Sequence, residues 1–161
     1  MGVMIVFGGL AVALFLAAFI TKRRFGLLGL SLAAGSVLSG IWSFDAGLLV
    51  STIGLFPSGP LTTAMTMSAI LLIPAAILLF HGSSYKGLVG RIIGAGLFAL
   101  LALAFLVEPL GRALVVEGVG VNVYGWIVNN HPTIIGIGLL LAVIDLFFTR
   151  SSQSVDKSSK H

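Results

Sequence analysis

Ionisable residues close to apolar stretches are the side chains of this sequence that have the types and spacing for chemistry. Glu108, Glu117, Asn130 and His131 supply carboxylates, an amide and an imidazole, and the carboxylates and imidazole could act as general acids or bases. Glu108 also lies four residues before Arg112, which is the spacing of an ion pair on a helix surface. A local ion pair is the favoured interpretation, and an acid–base site is the alternative.

Asp145 and Arg91 are two further ionisable residues, and each lies near the end of an apolar run. Charged groups inside a membrane are expensive and commonly pair with one another. The sequence therefore predicts a structural ion pair between Arg91 and Asp145, although Arg91 could also reach the membrane surface along its aliphatic stem. No charge lies near the middle of an apolar run, which argues against a proton-relay pump.

Two short stretches of the sequence match the patterns of enzyme motifs but lack the context that those motifs have in enzymes. "GAGLFA" has the spacing GxGxxA but lies inside an apolar run, whereas a dinucleotide-binding turn joins a strand to a helix. "SSYK" matches SxxK without the motifs that accompany it in enzymes. The chain has no cysteine, and no cluster has the spacing of metal ligands. The prediction is a protein that is not an enzyme, with no catalytic residue, no cofactor and no metal site.

The composition indicates what kind of solvent the chain requires. Of its 161 residues, 58% are hydrophobic and 9% are charged, against about 25% charged residues in a soluble domain. The net charge of +4 could suggest nucleic acid. The cations instead cluster at the ends of apolar runs, as in membrane proteins, so the predicted partner is the lipid bilayer and not nucleic acid.

Five apolar runs predict five transmembrane helices, because about 20 apolar residues cross the hydrocarbon and backbone groups must pair within a helix there. The predicted fold class is an all-α integral membrane bundle that occupies residues 1–150. A serine-rich tail, 151–161, is predicted to be disordered. The predicted helices cover residues 3–21, 25–44, 61–80, 88–107 and 133–149.

The distribution of cations predicts the orientation of these helices. Crossing five times places eight of the nine cations on one side and leaves Arg112 alone on the other. Positive charge marks the cytoplasmic side, so the N-terminus is predicted outside and the C-terminus inside a bacterial or archaeal cytoplasmic membrane. A four-helix alternative would move Arg150 to the outside and fits less well. The main topology determinants are Lys22, Arg23, Arg24, Lys86, Arg91 and Arg150, and aromatic residues at Trp42, Tyr85, Tyr124 and Trp126 are predicted to anchor at the interfaces.

Small residues recur at helical spacing in three of the predicted helices. Such stripes allow helix backbones to approach closely in lipid. Packing within the chain is the favoured interpretation, and a seam with a partner chain is the alternative. The residues are Gly9, Ala13 and Ala17 in the first helix, Ser31, Gly35 and Ser39 in the second, and Gly90 and Gly94 in the fourth.

Two apolar segments between the predicted helices are less regular. Residues 45–60 contain a Pro/Gly break, so they are expected to dip into the membrane or lie along it. Residues 108–132 contain an alternation of valines from Val119 to Val123, which is typical of a strand, and an interfacial helix is also possible over residues 109–116. "NNHPT" predicts the start of the fifth helix, with asparagine caps and Pro132 in the first turn.

The layout resembles the colicin V production protein family of small bacterial inner-membrane proteins. The resemblance rests on the basic turn "KRRFGLLGLSL" after an uncharged helix, and on "YKGLVGRIIGAGLFALL", a basic turn that leads into a glycine-rich helix. It covers roughly residues 3–107. The resemblance implies a non-enzymatic membrane protein connected with export or envelope upkeep, and it supplies no catalytic residues.

Taken together, these patterns predict a non-enzymatic assembly or scaffold subunit of a membrane complex, which meets a protein partner or itself through its small-residue helix faces. The alternative is a channel or transporter for a small solute that works as a homo-oligomer. A membrane-embedded enzyme built on Glu108 and His131 is the least favoured hypothesis.

Overall fold

The structure is a computed structural model that describes residues 2–52, 59–80, 85, 87–111 and 120–158. Within these ranges the chain forms five helices: α1 (Gly2–Thr21), α2 (Phe25–Thr52), α3 (Pro60–Phe80), α4 (Leu88–Gly111) and α5 (Gly120–Ser158). The helical class predicted from the apolar runs is confirmed.

Four of the five helices contain an apolar stretch long enough to cross a membrane: Phe25–Trp42, Pro60–Phe80, Leu88–Gly111 and Gly125–Phe148. The apolar part of α1, Ile5–Thr21, is shorter. About 20 apolar residues are needed to cross roughly 30 Å of hydrocarbon. The length of its apolar part therefore supports membrane spanning less strongly for α1 than for the other four helices.

Several helices are longer than the sequence indicates. α2 passes through Asp45 and ends at Thr52, and α4 continues beyond Val107 to Gly111. α5 begins at Gly120, so residues 120–123 are helical and the strand expected for them is wrong, while Val119 lies outside the described residues. At its other end α5 continues to Ser158, into the segment predicted to be disordered.

Pro132 lies inside α5 and does not begin it, so the predicted helix start at "NNHPT" is wrong. A proline inside a helix has no N–H to give to the carbonyl four residues earlier, which here belongs to Val128. The ring nitrogen Nδ1 of His131 lies 2.5 Å from that carbonyl oxygen. With Nδ1 protonated, the imidazole donates the hydrogen bond that Pro132 cannot, and the helix continues.

The core is built around α2 and α4, which pack on each other. α2 also packs on α3 and α5, while α4 also packs on α1, α3 and α5. Burying these two helices on several sides explains why they carry the largest fully buried side chains: Phe25, Leu28 and Leu32 on α2, and Phe98, Leu101 and Leu106 on α4.

Glycines set the closest approaches between these helices. A methyl group built on Gly35 of α2 would overlap the backbone carbonyl of Leu71 in α3. A methyl group on Gly26 would lie 2.6 Å from the carbonyl oxygen of Ala142 in α5. Small residues therefore hold α2 close to the backbones of two neighbours, as in the packing of helices in lipid.

Candidate functional site

Polar contacts between the helices concentrate at one end of the molecule, around the turn that joins α1 to α2. We call this group the basic-turn cluster and define it as Lys22, Arg23, Arg24, Tyr85, Arg91 and Asp145. It contains four of the six predicted topology determinants. Lys86 lies outside the described residues, and Arg150 lies on α5 five residues beyond Asp145.

The turn itself is tight and is held by Tyr85. Lys22 has a φ of 56°, in the left-handed region that residues with a side chain seldom adopt. Its carbonyl oxygen accepts a hydrogen bond of 2.8 Å from the backbone N–H of Tyr85, which lies between α3 and α4. This bond joins the α1–α2 turn to the segment between the next two helices.

Arg23 connects the same turn to the end of α3. Its Nε donates to the carbonyl oxygen of Leu79 at 2.9 Å, and a terminal guanidinium nitrogen donates to that of Phe80 at 2.7 Å. The last carbonyls of a helix have no partner within the helix and carry its partial negative charge, so a cation is favourable there. Arg23 thus caps α3 from a distant part of the chain.

Asp145 of α5 caps the start of α2. Its Oδ2 accepts a hydrogen bond of 2.9 Å from the backbone N–H of Gly26. Its Oδ1 accepts one of 3.1 Å from the Tyr85 hydroxyl, and that hydroxyl accepts one of 3.3 Å from the N–H of Phe25. The first N–H groups of a helix need acceptors, and a carboxylate also suits the positive end of the helix dipole.

The close approach of α2 to α5 makes this cap reachable. A methyl group on Gly26 would lie 2.6 Å from the carbonyl oxygen of Ala142 and 3.0 Å from Oδ2 of Asp145. Any larger residue at position 26 would therefore push α5, and the carboxylate with it, away from the α2 amides.

Arg91 ties α4 to the end of α1. A terminal nitrogen of its guanidinium donates to the carbonyl oxygen of Phe19 at 2.9 Å. The guanidinium carbon lies 4.5 Å from the centre of the Phe19 ring, a distance at which a cation is attracted to the ring face. Arg91 and Asp145 therefore each fix a different helix, and the ion pair predicted between them stays a prediction.

The hydroxyl of Tyr85 lies between Asp145 and the start of α2, and this position changes its pKa. Burial raises the pKa of the Tyr85 phenol above its ordinary value of 10.0, and the Asp145 carboxylate raises it further, against the opposing effects of the Phe25 amide and Arg24. The Arg24 guanidinium carbon lies 5.5 Å from the centre of the ring. At neutral pH the phenol is therefore protonated and able to donate to Asp145.

The basic-turn cluster can hold helices in place, but it lacks an arrangement for catalysis or metal binding. Among the described residues no three His, Cys, Asp or Glu side chains come together as metal ligands. A phenol with a raised pKa is a weak nucleophile at neutral pH, since its phenolate is scarce. The three arginines and the carboxylate in the cluster contact helix termini and aromatic rings.

The small residues predicted to pack helices fall into two groups. In α2, Gly35 and Ser39 lie on α3, and the Ser39 hydroxyl donates to the carbonyl oxygen of Met67 at 3.1 Å. Ser31 is buried, and its hydroxyl bonds to the carbonyl of Leu28 in its own helix. In α4, methyl groups on Gly90 and Gly94 would meet the ring of Tyr85 at 3.0 and 2.6 Å.

The α1 stripe is different, because part of it faces outward. A methyl group built on Gly9 would have no atom of the described residues within 4 Å beyond its own helix. Ala13 is exposed and Ala17 is half-buried. One side of α1 is thus open along its first turns.

The structure describes contacts for two residues of the suggested acid–base group, Asn130 and His131. Glu108 is exposed on α4, whereas Glu117 and Arg112 lie outside the described residues. The side-chain amide of Asn130 donates to the carbonyl oxygen of Trp126 at 2.7 Å, and His131 contacts that of Val128. Both α5 side chains are therefore engaged with their own helix.

Sequence reasoning missed the roles of Tyr85, Gly26 and His131. Tyr85 was predicted only as an interfacial anchor, and its part in linking three segments depends on contacts across 60 residues. Gly26 follows directly after the basic turn, and a glycine in the first turn of a helix was an available signal for close approach. His131 directly before Pro132 was an available signal for a helix that continues through the proline.

No protein-family model matches this chain, and neither a curated protein nor a solved structure is similar to it.

Proposed function

We propose that this chain is a multi-pass protein of a bacterial or archaeal cytoplasmic membrane, with the basic-turn cluster on the cytoplasmic side. Four helices long and apolar enough to span support the membrane placement. Three consecutive cations in the turn, with Arg91 close by, support the orientation, because positive residues collect on the cytoplasmic side. In this orientation the N-terminus faces outward and the C-terminus faces the cytoplasm.

Within that membrane the chain serves as a non-catalytic assembly or scaffold subunit, and one observation carries this proposal. The small-residue stripes of α2 and α4 are covered from within the chain, by Leu71 and by Tyr85, whereas Gly9 and Ala13 of α1 lie open. Close approach of backbones through small residues is how helices associate in lipid. The open stripe on α1 is thus the face that a second helix would meet.

The basic-turn cluster supports this role because it gives the open face a fixed position. Arg91 holds the last turn of α1 through Phe19, and Arg23 holds the adjoining turn on the end of α3. A helix fixed at one end by charged hydrogen bonds presents its outer face in one orientation. A defined face is what a subunit needs for a defined partner.

The test is purification in mild detergent, followed by native mass determination with identification of every co-purified chain. We expect a defined partner chain to co-purify at a fixed stoichiometry. The variants Gly9→Leu and Ala13→Leu should lower the association constant about tenfold, which corresponds to roughly 1.4 kcal/mol at the seam.

Gly40→Leu on α2 is the matched control, since Gly40 is also exposed and a methyl group there meets no described atom within 4 Å. Equal assembly of all the leucine variants would refute the α1 seam. A homo-oligomer with no other chain would instead favour the channel or transporter alternative, which measurements of solute flux in proteoliposomes would then test. The connection with export or envelope upkeep stays a prediction of the family resemblance.

A further inference from the structure

A groove runs between α4 and α5. Two adjoining cavities form it, one of about 310 Å³ and one of about 260 Å³. Leu97 of α4 and Leu141 of α5 line both cavities, so the two lie next to each other along the same pair of helices. We call the whole the α4–α5 groove.

The α4–α5 groove has about the length of the membrane interior. Trp126 lines one end and Asp145 lines the other, and these residues are 19 positions apart on α5. At 1.5 Å per residue the distance is about 28 Å, close to the roughly 30 Å of a hydrocarbon core. Between the ends the lining is mainly aliphatic, with exposed Leu141 and Ile144, so the groove opens toward lipid.

The two ends of the groove differ in charge. The 260 Å³ cavity is lined by Tyr85, Phe25 and Asp145, and its polar end therefore adjoins the basic turn. The Arg24 guanidinium carbon lies 5.5 Å from the Tyr85 ring centre, and the carbonyl of Lys22 accepts the Tyr85 N–H at 2.8 Å. Lys22 itself is exposed.

The single carboxylate at the mouth does not cancel this positive potential. Asp145 accepts hydrogen bonds from the first amides of α2 and from Tyr85, so its charge faces the positive end of a helix dipole. Arg24 lies against the Tyr85 ring and Lys22 lies in the turn bonded to the Tyr85 N–H, so two cations adjoin this one carboxylate. An apolar cleft of this depth with a cationic mouth is complementary to a molecule with an apolar chain and an anionic head.

We propose that the α4–α5 groove binds one anionic phospholipid of the cytoplasmic leaflet. Its acyl chain occupies the 260 Å³ cavity between Leu97, Leu141 and Ile144, and its phosphate lies at the mouth beside Lys22. Basic pockets between helices on the cytoplasmic side are suited to such head groups. This inference depends on the membrane placement proposed above but not on the assembly role, because the groove and the open face of α1 belong to different helices.

The experiment is native mass determination of the full chain in mild detergent during titration with phosphatidylglycerol or phosphatidylcholine that carry identical acyl chains. We expect one phosphatidylglycerol to be retained per chain. Its apparent affinity should exceed that of phosphatidylcholine by about fivefold or more, the effect of one or more cations near an anionic head group.

Two pairs of variants locate the site. Leu141→Trp fills the groove and should abolish the retained lipid, whereas Leu140→Trp is the matched control, since Leu140 is exposed on α5 and lines neither cavity. Lys22→Asn removes the exposed cation and keeps a residue that tolerates the left-handed conformation. It should lower the preference for phosphatidylglycerol about fivefold, while Lys157→Asn makes the same change of net charge on the last turns of α5 and should leave the preference unchanged.

Three outcomes would overturn the proposal. Equal retention of phosphatidylglycerol and phosphatidylcholine would show that the anionic head group does not contribute to binding. Equal behaviour of Leu141→Trp and Leu140→Trp would place the lipid elsewhere. If a protein chain co-purifies with the wild type and is lost in Leu141→Trp, the occupant of the groove is a partner helix and not a lipid. Since Gly9→Leu tests assembly on α1, failure of either proposal can be distinguished from failure of the other.

Discussion

α1 and α2 carry the same pattern of small residues four positions apart, and the structure uses the two stripes in opposite ways. On α2, Gly35 lies against the carbonyl of Leu71, and Ser39 donates a hydrogen bond to α3. On α1, Gly9 faces open space among the described residues. The spacing of small residues determines how closely a helix can be approached, but the same spacing does not determine whether another helix of the chain covers the stripe.

The largest effect on stability is expected at Gly35, where the small-residue stripe of α2 packs against a backbone carbonyl of α3. Gly35→Ala should lower the free energy of unfolding by about 3 kcal/mol, because the added methyl group overlaps a carbonyl that cannot move without displacing α3. Unfolding in mild detergent measures this change. Gly40→Ala, on the same helix with open space around it, is the control and should be neutral or slightly stabilising. An equal effect of the two substitutions would contradict the closed stripe.

A smaller effect is expected where a side chain closes the stripe, as Tyr85 does at Gly94. Tyr85→Phe keeps the ring but removes the bonds of its hydroxyl with Asp145 and Phe25, so the free energy of unfolding should fall by about 1 kcal/mol. Tyr124→Phe is the control, because it makes the same substitution at the other of the chain's two tyrosines.

The Tyr85→Phe variant should also change the pH dependence of stability. The folded-state pKa of Tyr85 is raised above the unfolded value of 10.0, so the protonated phenol contributes stability below pH 10.0. That contribution is lost as the pH rises from 10.0 through the raised folded-state pKa. The wild type should therefore lose more stability than Tyr85→Phe in this alkaline range, and parallel pH profiles would contradict the contacts of the hydroxyl.

The smallest effect is expected where the stripe is open. Gly9→Ala should change the free energy of unfolding by about 0.5 kcal/mol or less, in the stabilising direction, because alanine favours the helix and the methyl group meets no described neighbour. Unfolding under the conditions used for Gly35→Ala provides the measurement. A loss as large as that of Gly35→Ala would mean that α1 is covered from within the protein.

The sequence was sufficient to predict the helical class and the position of the basic turn, because both depend on local composition. The 20-residue apolar run after the turn and the three cations before it are visible without any knowledge of neighbours. The same locality explains the error at Pro132. A proline after two asparagines is a typical helix start, and only the contact of His131 with the Val128 carbonyl reveals how the helix continues.

The contacts of the candidate site could not be predicted, because they join residues far apart in the chain. Nothing near Phe25 resembles a helix cap: the two residues before it are arginines. The cap comes from Asp145, 119 residues away from Gly26. The sequence indicated Arg91 as a partner for Asp145 by charge alone, whereas the position of each helix end determines which amide or carbonyl a charge can reach.

The distance in sequence between Asp145 and the helix that it caps has a consequence for biogenesis. A ribosome must synthesise 119 residues beyond Gly26 before the carboxylate becomes available to the Gly26 amide at the start of α2. Until then the first helical hairpin can insert but keeps amides that must be hydrated at the membrane surface. Once α5 is made, Asp145 replaces water at the Gly26 amide, so a helix made much later completes the turn between α1 and α2.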